Sequence, residues 1–265
     1  MPLTVVTWNI NSVRLRLPLV LRLLGSVRPD VLCLQETKCP NELFPRAAFE
    51  AAGYPHIAVH GQKGYHGVAT ISRVPLRDAG SRDYCAMGDT RHLSATLDLD
   101  GKPLRLHNFY VPAGGDEPDP RTNPKFDHKL RFVEEMRMLQ AGADGASDVL
   151  VGDLNIAPEE ADVWSSRQLR NVVSHTDIER SAMRALIADG GWADLMRHGV
   201  DADRRIYTWW SYRNRDWRAS NRGRRLDHVW GSRDLPERLR GIEVVVEARD
   251  WEKPSDHVPV IARLD

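Results

Sequence analysis

Short apolar runs along this chain alternate between two periodicities. Runs rich in β-branched and aliphatic residues predict buried strands at residues 3–7, 31–35, 67–72, 93–98, 104–110, 148–152, 226–231, 244–248 and 258–264. Apolar residues at helical spacing predict helices at residues 15–24, 126–139 and 181–188, the first of them ended by Gly25. Asp100-Gly101 predicts a hairpin turn. Alternating strand and helix signals predict an α/β fold.

Polar motifs follow or interrupt these apolar runs at five places. They are Thr7-Trp8-Asn9-Ile10-Asn11, Leu34-Gln35-Glu36-Thr37-Lys38, Gly152-Asp153-Leu154-Asn155, Arg225-Leu226-Asp227-His228 and Ser255-Asp256-His257. One polar strand end is ordinary, but five that carry metal-ligand or acid/base residue types indicate one site assembled from distant segments. Two sheets packed face to face, with helices outside, would bring all five to one edge. No segment has the composition of an interdomain linker, so we expect a single domain over residues 1–265.

Two of the motifs place a polar side chain directly after an apolar strand. Glu36 ends such a strand, where a carboxylate is costly unless it is solvated, paired or bound to a metal. The alternative is a surface glutamate paired with Lys38. Asn9 ends the first strand, and the alternative for it is a turn-capping asparagine.

The last three motifs offer acid/base chemistry. Asp153 and Asn155 project to one side after a glycine turn, which suits a general acid/base beside an amide that donates to an oxyanion. An Asx turn is the alternative. An aspartate such as Asp256 or Asp227 on the ring of His257 would favour its charged form. The alternative is a hydrogen-bonded histidine at a strand edge.

The overall composition does not indicate a particular partner, but one segment of the chain does. The 265 residues are 42% hydrophobic and carry no net charge, and only six of the 37 basic residues are lysines. Residues 204–225 are different, because eight arginines alternate there with aromatic residues and a single acid, Asp216. The aromatic residues are Tyr207, Trp209, Trp210, Tyr212 and Trp217. This pattern is typical of phosphate contacts combined with stacking on a base or sugar. The alternatives are a solvated basic face, or Trp209 and Trp210 packed in the core under a loop.

The cysteines and termini bear on the compartment. Cys33, Cys39 and Cys85 have no ligand-type spacing, and Cys33 lies within an apolar strand. We therefore expect reduced thiols and a cytoplasmic protein. The sequence shows no secretory signal and no apolar run near the roughly 20 residues of a membrane span, so we expect no membrane partner.

Taken in order, the motifs resemble the exodeoxyribonuclease III/AP endonuclease family of the endonuclease/exonuclease/phosphatase superfamily. The resemblance also includes residues 60–70 (HGQKGYHGVAT), Asn108-Phe109-Tyr110-Val111-Pro112 and Lys253-Pro254, and it runs from residue 4 to about residue 263. It implies a four-layer α/β sandwich of two packed mixed sheets flanked by helices. It also implies a monomeric repair nuclease that uses Mg²⁺, or Mn²⁺ in its place. The implied substrate is double-stranded DNA with abasic sites or damaged 3′ ends.

The resemblance also implies roles for individual residues. The catalytic set is Tyr110, Asp153, Asn155, Asp227 and His257. The metal site comprises Asn9, Glu36, Asp153, Asn155, Asp256 and His257. The DNA contacts are Lys38, Arg91, Trp209, Arg222, Arg224 and Leu226. Asp153 would handle the proton of the attacking water or leaving oxygen, and Asn155 and Tyr110 would stabilise the developing charge. His257, supported by Asp227, would contact the scissile phosphate.

The sequence departs from the family pattern at two positions. Ala113-Gly114 stands where the family often has Gln or Asn as a phosphate contact, so that donor is either missing or supplied by another group such as Arg91 or a backbone amide. Arg224 stands where some relatives place a Trp against the abasic sugar, which leaves Trp209 and Leu226 to form a sugar pocket. Two other functions compete with the nuclease: a phosphatase acting on a phospholipid or inositol headgroup, and a DNA-binding module without catalysis. The dense arginine and tryptophan segment disfavours the first, and the complete set of catalytic residue types disfavours the second.

Overall fold

The fold is built on two six-stranded sheets in a computed structural model that describes residues 2–99 and 102–265. The strands are β1 (Leu3–Asn9), β2 (Val31–Gln35), β3 (His56–His60), β4 (Val68–Ser72), β5 (Leu76–Gly80), β6 (His92–Leu99), β7 (Lys102–Tyr110), β8 (Ser147–Asp153), β9 (Ala193–Asp194), β10 (Asp227–Gly231), β11 (Leu239–Val244) and β12 (Val260–Leu264). The first sheet has the order β11-β12-β1-β2-β4-β3, and the second has β5-β6-β7-β8-β10-β9. The pairs β1–β2 and β7–β8 are parallel, whereas their other neighbours in these sheets are antiparallel, so both sheets are mixed as predicted.

Helices cover the outer faces of both sheets. They are α1 (Val13–Val27), α2 (Arg46–Ala51), α3 (Pro124–Met136), α4 (Ser166–Leu169), α5 (Asp177–Asp189), α6 (Trp217–Ser220) and α7 (Leu235–Arg238). Short 3-10 turns occupy Asn41–Leu43, Tyr84–Ala86, Glu160–Asp162 and Val246–Asp250. Helix α1 packs on the first sheet, and α3 and α5 pack on the second. The layers therefore run helix, sheet, sheet, helix, and the predicted four-layer sandwich is confirmed.

The period-two alternation of the strands explains why the two sheets share a dry interface. In β1, Val5 belongs to the inter-sheet core, whereas Val6 and Trp8 pack under α1 on the opposite face. Cys33 of β2 lies in the inter-sheet core with Val5, and burial raises the pKa of its thiol to about 12. This agrees with a core cysteine. Within the described residues, no helix is both long and apolar enough to cross a bilayer.

Three local predictions need correction or lie outside the structure. Helix α1 passes through Gly25 and ends at Val27, and the capping residue Arg28 adopts a left-handed φ of 50°. A helical glycine costs only about 1 kcal/mol, and the buried Leu23 and Leu24 hold this turn against the sheet. The strand predicted at residues 244–248 is displaced, because β11 ends at Val244 and a 3-10 turn follows, so that Val245 and Ala248 reach the core three residues apart. The predicted Asp100-Gly101 turn falls outside the described residues.

We expect acid to destabilise the fold through His92, which is buried beside His107 in the second sheet. Burial, together with the nearby His107, lowers the pKa of His92 well below its usual value. In the unfolded chain His92 binds a proton below about pH 6.5, whereas in the folded chain it stays neutral. The free energy of unfolding therefore falls as the pH drops. Between pH 7.5 and 5.0 this one group should cost about 2 kcal/mol of unfolding free energy.

Urea unfolding at the two pH values would measure this cost. His92→Gln should lose about 2 kcal/mol less than the parent on acidification. The exposed His198, replaced in the same way, serves as the control and should leave the acid loss unchanged. An acid loss for His92→Gln equal to that of the parent would contradict the role of this histidine.

Candidate active site

The two parallel strand pairs deliver the predicted residues to one edge of the sandwich. Parallel β1 and β2 end side by side with Asn9 and, one residue beyond the strand, Glu36. Parallel β7 and β8 end in register at Tyr110 and Asp153. Antiparallel β10 begins at the same place, because Asp227 pairs with Asp153. The carboxyl ends of neighbouring parallel strands thus meet where the sequence motifs predicted a common site.

The glycine of the Gly-Asp-Leu-Asn motif is required by the packing of β8. Gly152 has a φ of 141°, and a Cβ there would lie 1.9 Å from the carbonyl oxygen of Phe109. After it, the Asp153 Oδ1 accepts from the backbone N–H of Asn155 at 3.0 Å, which forms the Asx turn considered as an alternative. The turn and the site coexist, because the turn holds Asp153 in place and directs the Asn155 amide to Asp153 Oδ2 at 3.2 Å.

Asn9 connects the carboxylates contributed by the two sheets. Its Nδ2 donates to Glu36 Oε1 at 2.9 Å and to Asp153 Oδ2 at 2.8 Å. Its Oδ1 accepts from the backbone N–H of Asn11 at 3.1 Å. The atom of Asn9 that faces the carboxylates is therefore its nitrogen, and the residue keeps two negative groups apart in a buried setting.

Glu36 combines both of the roles considered from the sequence. Its Oε2 lies 2.8 Å from Lys38 Nζ, and its Oε1 accepts from Asn9. Burial opposes ionisation, but the Lys38 charge and these hydrogen bonds hold the pKa of Glu36 below its usual value. Glu36 is thus an ionised carboxylate at the site edge. The predicted DNA contact Lys38 is its counter-ion and also donates to Asn11 Oδ1 at 2.6 Å.

An imidazole stands between two buried aspartates at the centre of the site. His257 Nδ1 lies 2.8 Å from Asp227 Oδ2, and its Nε2 lies 3.6 Å from Asp153 Oδ2. Although burial disfavours the charged ring, Asp227 and Asp153 raise the pKa of His257 well above its usual value. Burial in turn raises the pKa of Asp153. The centre therefore holds a charged imidazole beside a carboxyl group that binds protons more readily than an ordinary aspartate.

The same centre fits a divalent metal ion. Asp153 and Asp227 each offer a carboxylate oxygen within 4.8 Å of the other and of a His257 ring nitrogen, which could bind a metal ion only in its neutral form. Asp227 Oδ1 is buried and has no hydrogen-bond partner among the described residues, which is costly for a carboxylate oxygen unless a cation supplies the charge. Glu36 adds a carboxylate next to Asp153 through their shared contact with Asn9. Carboxylate oxygens suit hard cations such as Mg²⁺.

Asp256 is positioned by hydrogen bonds from two other site residues. Its Oδ2 accepts from Trp209 Nε1 at 2.9 Å, and its Oδ1 accepts from Asn11 Nδ2 at 3.2 Å. Burial opposes ionisation, yet His257 and these donors hold the pKa of Asp256 below its usual value. As a predicted metal residue it lies near the centre, with both of its oxygens already hydrogen-bonded.

Tyr110 is held at the edge by Arg91. Burial raises the pKa of the Tyr110 hydroxyl well above its usual value, and the nearby Glu36 and Asp153 charges add to this. The Arg91 guanidinium lies 4.8 Å from the centre of the Tyr110 ring, and its Nη1 donates to the Tyr110 carbonyl at 3.3 Å. Arg91 also bonds to Asp89 at 2.7 Å and to His66 at 2.9 Å. Arg91 therefore reaches the site through its contacts with Tyr110.

A cleft of about 670 Å³ opens beside these groups. Its lining includes Glu36, Ala113, Asn155, Trp164, Leu169, Val172, Val173, Ser174, Trp209, Arg222, Arg224, Leu226, Asp256 and His257. The Arg224 guanidinium lies 5.2 Å from the centre of the Trp209 ring, and its Nη1 donates to Ser174 Oγ at 2.8 Å. The Arg222 guanidinium lies 4.7 Å from the ring centre of Trp164. Sequence reasoning missed Trp164 and the wall at residues 172–174, because no polar motif marks that loop.

The arginine and tryptophan segment divides between the surface and the core. Arg225 is fully buried, bonds to both Asp162 oxygens at 2.8 and 2.9 Å, and lies 2.8 Å from Asp194. Arg225 is therefore a core ion-pair residue, although the arginine-rich pattern as a whole is typical of phosphate contacts. Trp210 and Trp217 pack in the core under the first sheet, whereas Trp209 lines the cleft. Core packing, the alternative for Trp209 and Trp210, therefore holds for Trp210, whereas Trp209 faces the cleft.

A two-sheet sandwich with carboxylates, an Asp–His pair and an amide at one sheet edge defines a hydrolase site. The family model described as "Endonuclease/Exonuclease/phosphatase family" matches residues 6–257. Exodeoxyribonuclease III from Haemophilus influenzae is 30% identical over 98% of both chains. Among solved structures, an AP endonuclease from Archaeoglobus fulgidus is 32% identical, with a TM-score of 0.87 over 99% of each chain. A 3′ phosphatase, NExo, from Neisseria, bound to a product DNA hairpin, is 33% identical, with a TM-score of 0.88 over 99% of each chain.

This chain belongs to the endonuclease/exonuclease/phosphatase family, in its exodeoxyribonuclease III/AP endonuclease branch, and is a nuclease.

Proposed function

We propose that the chain is a Mg²⁺-dependent DNA repair nuclease, with Mn²⁺ able to substitute, and that it acts in the cytoplasm as a single domain. It hydrolyses phosphodiesters of double-stranded DNA at abasic sites and at damaged 3′ ends. The observation that carries this proposal is the Asp227–His257–Asp153 array at the floor of a cleft walled by Trp209, Leu226 and arginines. The names of two relatives, an AP endonuclease and a 3′ phosphatase bound to DNA, support the substrate.

The residues of the site divide the hydrolysis among them. Asp153 takes a proton from the attacking water as the new bond to phosphorus forms, because burial gives this carboxyl group a raised pKa. His257, kept charged by Asp227, binds a non-bridging oxygen of the phosphate. As the bond from phosphorus to the leaving 3′ oxygen breaks, that oxygen takes a proton from a solvent water and becomes the new 3′ hydroxyl. Asp153 then releases the proton that it accepted to solvent, which restores the site.

Two neutral groups stabilise the charge that develops on the phosphate. The Asn155 amide contacts Asp153 Oδ2 at 3.2 Å, so it borders the place where the water is activated. The hydroxyl of Tyr110 stays protonated, because its pKa is raised, and it remains a hydrogen-bond donor. Glu36, Asp153 and Asp227 would hold the metal ion, which when bound neutralises charge on the phosphate and on the leaving oxygen.

Substrate choice is assigned to the cleft next to this centre. Leu226 is buried against Leu169 and packs with Trp209, which gives an apolar surface beside the acidic groups. A flipped sugar without a base fits such a surface, and flipping costs least where no base must be unstacked. Exposed arginines, Arg213 and Arg222 among them, line the same opening and can hold phosphates.

One assay panel tests the proposed function. It presents duplex DNA with an internal abasic analogue, with a 3′-phosphate end and with a blunt 3′-hydroxyl end, each with Mg²⁺ and with a chelator. A soluble inositol phosphate serves as a further substrate. We expect cleavage of the DNA substrates that stops in chelator. Turnover of the inositol phosphate without turnover of DNA would instead favour the headgroup phosphatase, and binding without cleavage would favour a silent DNA-binding module.

Trp209→Ala is expected to reduce incision at abasic sites much more than removal of a 3′-phosphate. The ring forms one wall of the cleft, and loss of a base-stacking or sugar-stacking aromatic costs about 1–3 kcal/mol. Arg224→Ala should weaken both reactions about equally, since a phosphate contact serves both. The measurement is kcat/KM on both substrates for each variant, together with thermal melting.

Trp209→Phe separates the ring from its hydrogen bond. It keeps an aromatic wall but removes the Nε1 donor that holds Asp256. If the wall is what matters, Phe should retain more abasic-site incision than Ala. Equal losses of both activities for Trp209→Ala, or a melting temperature far below the parent, would mean that the indole only packs the core.

A further inference from the structure

Beneath the cleft, a fully buried lysine joins two loops of the site. Lys129 of α3 has no exposed surface, and its ammonium donates to Glu179 Oε1 at 2.5 Å. It also donates to the backbone carbonyls of Asn155 at 2.7 Å and of Ala113 at 3.3 Å. All three protons of the ammonium are therefore used, and two of the acceptors belong to residues that line the cleft.

Its partner, Glu179, organises the opposite wall. Glu179 belongs to the capping box that starts α5, where such a side chain usually lies near the surface. Here it is fully buried and accepts from the backbone N–H groups of Ser174 at 2.9 Å and Thr176 at 3.1 Å. The Ser174 hydroxyl in turn accepts a hydrogen bond from Arg224 Nη1. One ion pair thus ties the loop after β7, the loop after β8 and the wall at Ser174 to each other.

Gly114, in the departure at Ala113-Gly114, packs directly against this buried lysine. Gly114 has a φ of 89°, and a Cβ there would lie 2.9 Å from Lys129 Cδ and 3.1 Å from Val173 Cγ1. A larger residue would push the lysine stem away from Asn155. The glycine is therefore required by the buried lysine beneath it.

We propose that Lys129 and Glu179 are positioning residues that set the orientation of the Asn155 amide toward the reacting phosphate. The proposal rests on the nuclease function proposed above. Asn155 adopts a left-handed φ of 53°, a conformation that a non-glycine residue keeps only where its surroundings fix it. Lys129 holds its carbonyl, and the Asn155 Nδ2 donates to the Val111 carbonyl at 2.8 Å. Loss of the first anchor lets the amide move, and a displacement of about 1 Å in an active site can cost 10²-fold in rate.

The experiment is a double-mutant cycle between Lys129 and Asn155. Lys129→Met should lower kcat on abasic DNA about 10–100-fold, with KM changed by less than about 3-fold. In the Asn155→Ala background the same change should cost less than about 3-fold, because the group it positions is gone. Arg131→Met, which breaks an exposed ion pair on the same helix, is the matched control and should leave kcat unchanged.

Two further variants separate positioning from folding. Lys129→Arg keeps the charge and should restore part of the lost kcat, and Glu179→Gln keeps the shape of the partner and should repeat the kcat loss in a milder form. Melting temperatures and the active-site concentration, from single-turnover amplitudes, identify variants that merely unfold. Full additivity with Asn155→Ala, or an unchanged kcat in both Lys129→Met and Glu179→Gln, would overturn the proposal. Absence of cleavage by the parent would instead overturn the nuclease function.

Discussion

Replacing Asp153 by Asn is expected to lower kcat about 10²–10⁴-fold, the usual effect of removing a catalytic acid/base. The new amide keeps the shape of the side chain but cannot accept the proton of the attacking water. The substitution also removes the Asp153 carboxylate, whose Oδ2 lies 3.6 Å from His257 Nε2. DNA affinity should change far less, because the arginines of the cleft remain. Single-turnover cleavage and equilibrium binding to an abasic duplex, measured side by side, check the split.

A companion variant tests the neighbouring amide. Asn155→Ala should lower kcat about 10²–10³-fold through loss of a donor to the developing oxyanion. The melting temperature serves as its control, since the Asx turn is formed by the backbone N–H of residue 155 and survives the substitution. If either variant kept kcat and lost only binding, the catalytic roles given to these two residues would be wrong.

The second large effect concerns Glu36. Glu36→Gln should lower turnover at fixed Mg²⁺ by more than about 100-fold and should recover partly as the metal concentration rises. The variant leaves Lys38 without its counter-ion, so the local charge becomes more positive and a cation binds less well. Initial rates across a Mg²⁺ and Mn²⁺ titration measure the shift, and the parent in chelator is the reference. Full activity of the parent in chelator would exclude the metal-dependent mechanism.

The fold was predictable wherever a strand is buried on both sides or alternates cleanly. β1, β2, β7, β8 and β12 were found within two residues of their bounds. β3 and β5 were missed, because β3 is half-buried along its whole length and β5 is mostly exposed, so neither shows a contrast between its faces. The strand end at Glu36 was readable from the sequence, since a carboxylate directly after a dry strand requires an explanation.

The arginine segment shows what sequence patterns cannot resolve. A guanidinium is buried only where acids meet it, and the partners of Arg225 are Asp162 and Asp194, which lie on distant segments. Nothing next to Arg225 in the sequence distinguishes it from the exposed Arg222. The same holds for Lys129, whose burial depends on Glu179 fifty residues away. The burial of Arg225 and Lys129 therefore depends on charged partners from distant segments, which a local sequence pattern does not reveal.

The pairing of β12 with β1 also bears on the time at which activity can arise. β1 occupies the middle of its sheet, and one of its edges is satisfied by β2 and the other by β12. The segment leading into β12 carries Asp256 and His257. The β1–β12 ladder and these two acid/base groups are therefore synthesised at nearly the same time. A nascent chain still missing residue 257 therefore has an open strand edge and an incomplete centre. A chain that has been made only as far as β11 therefore lacks both the β12 ladder and His257, and phosphodiester cleavage can begin only after β12 has paired with β1.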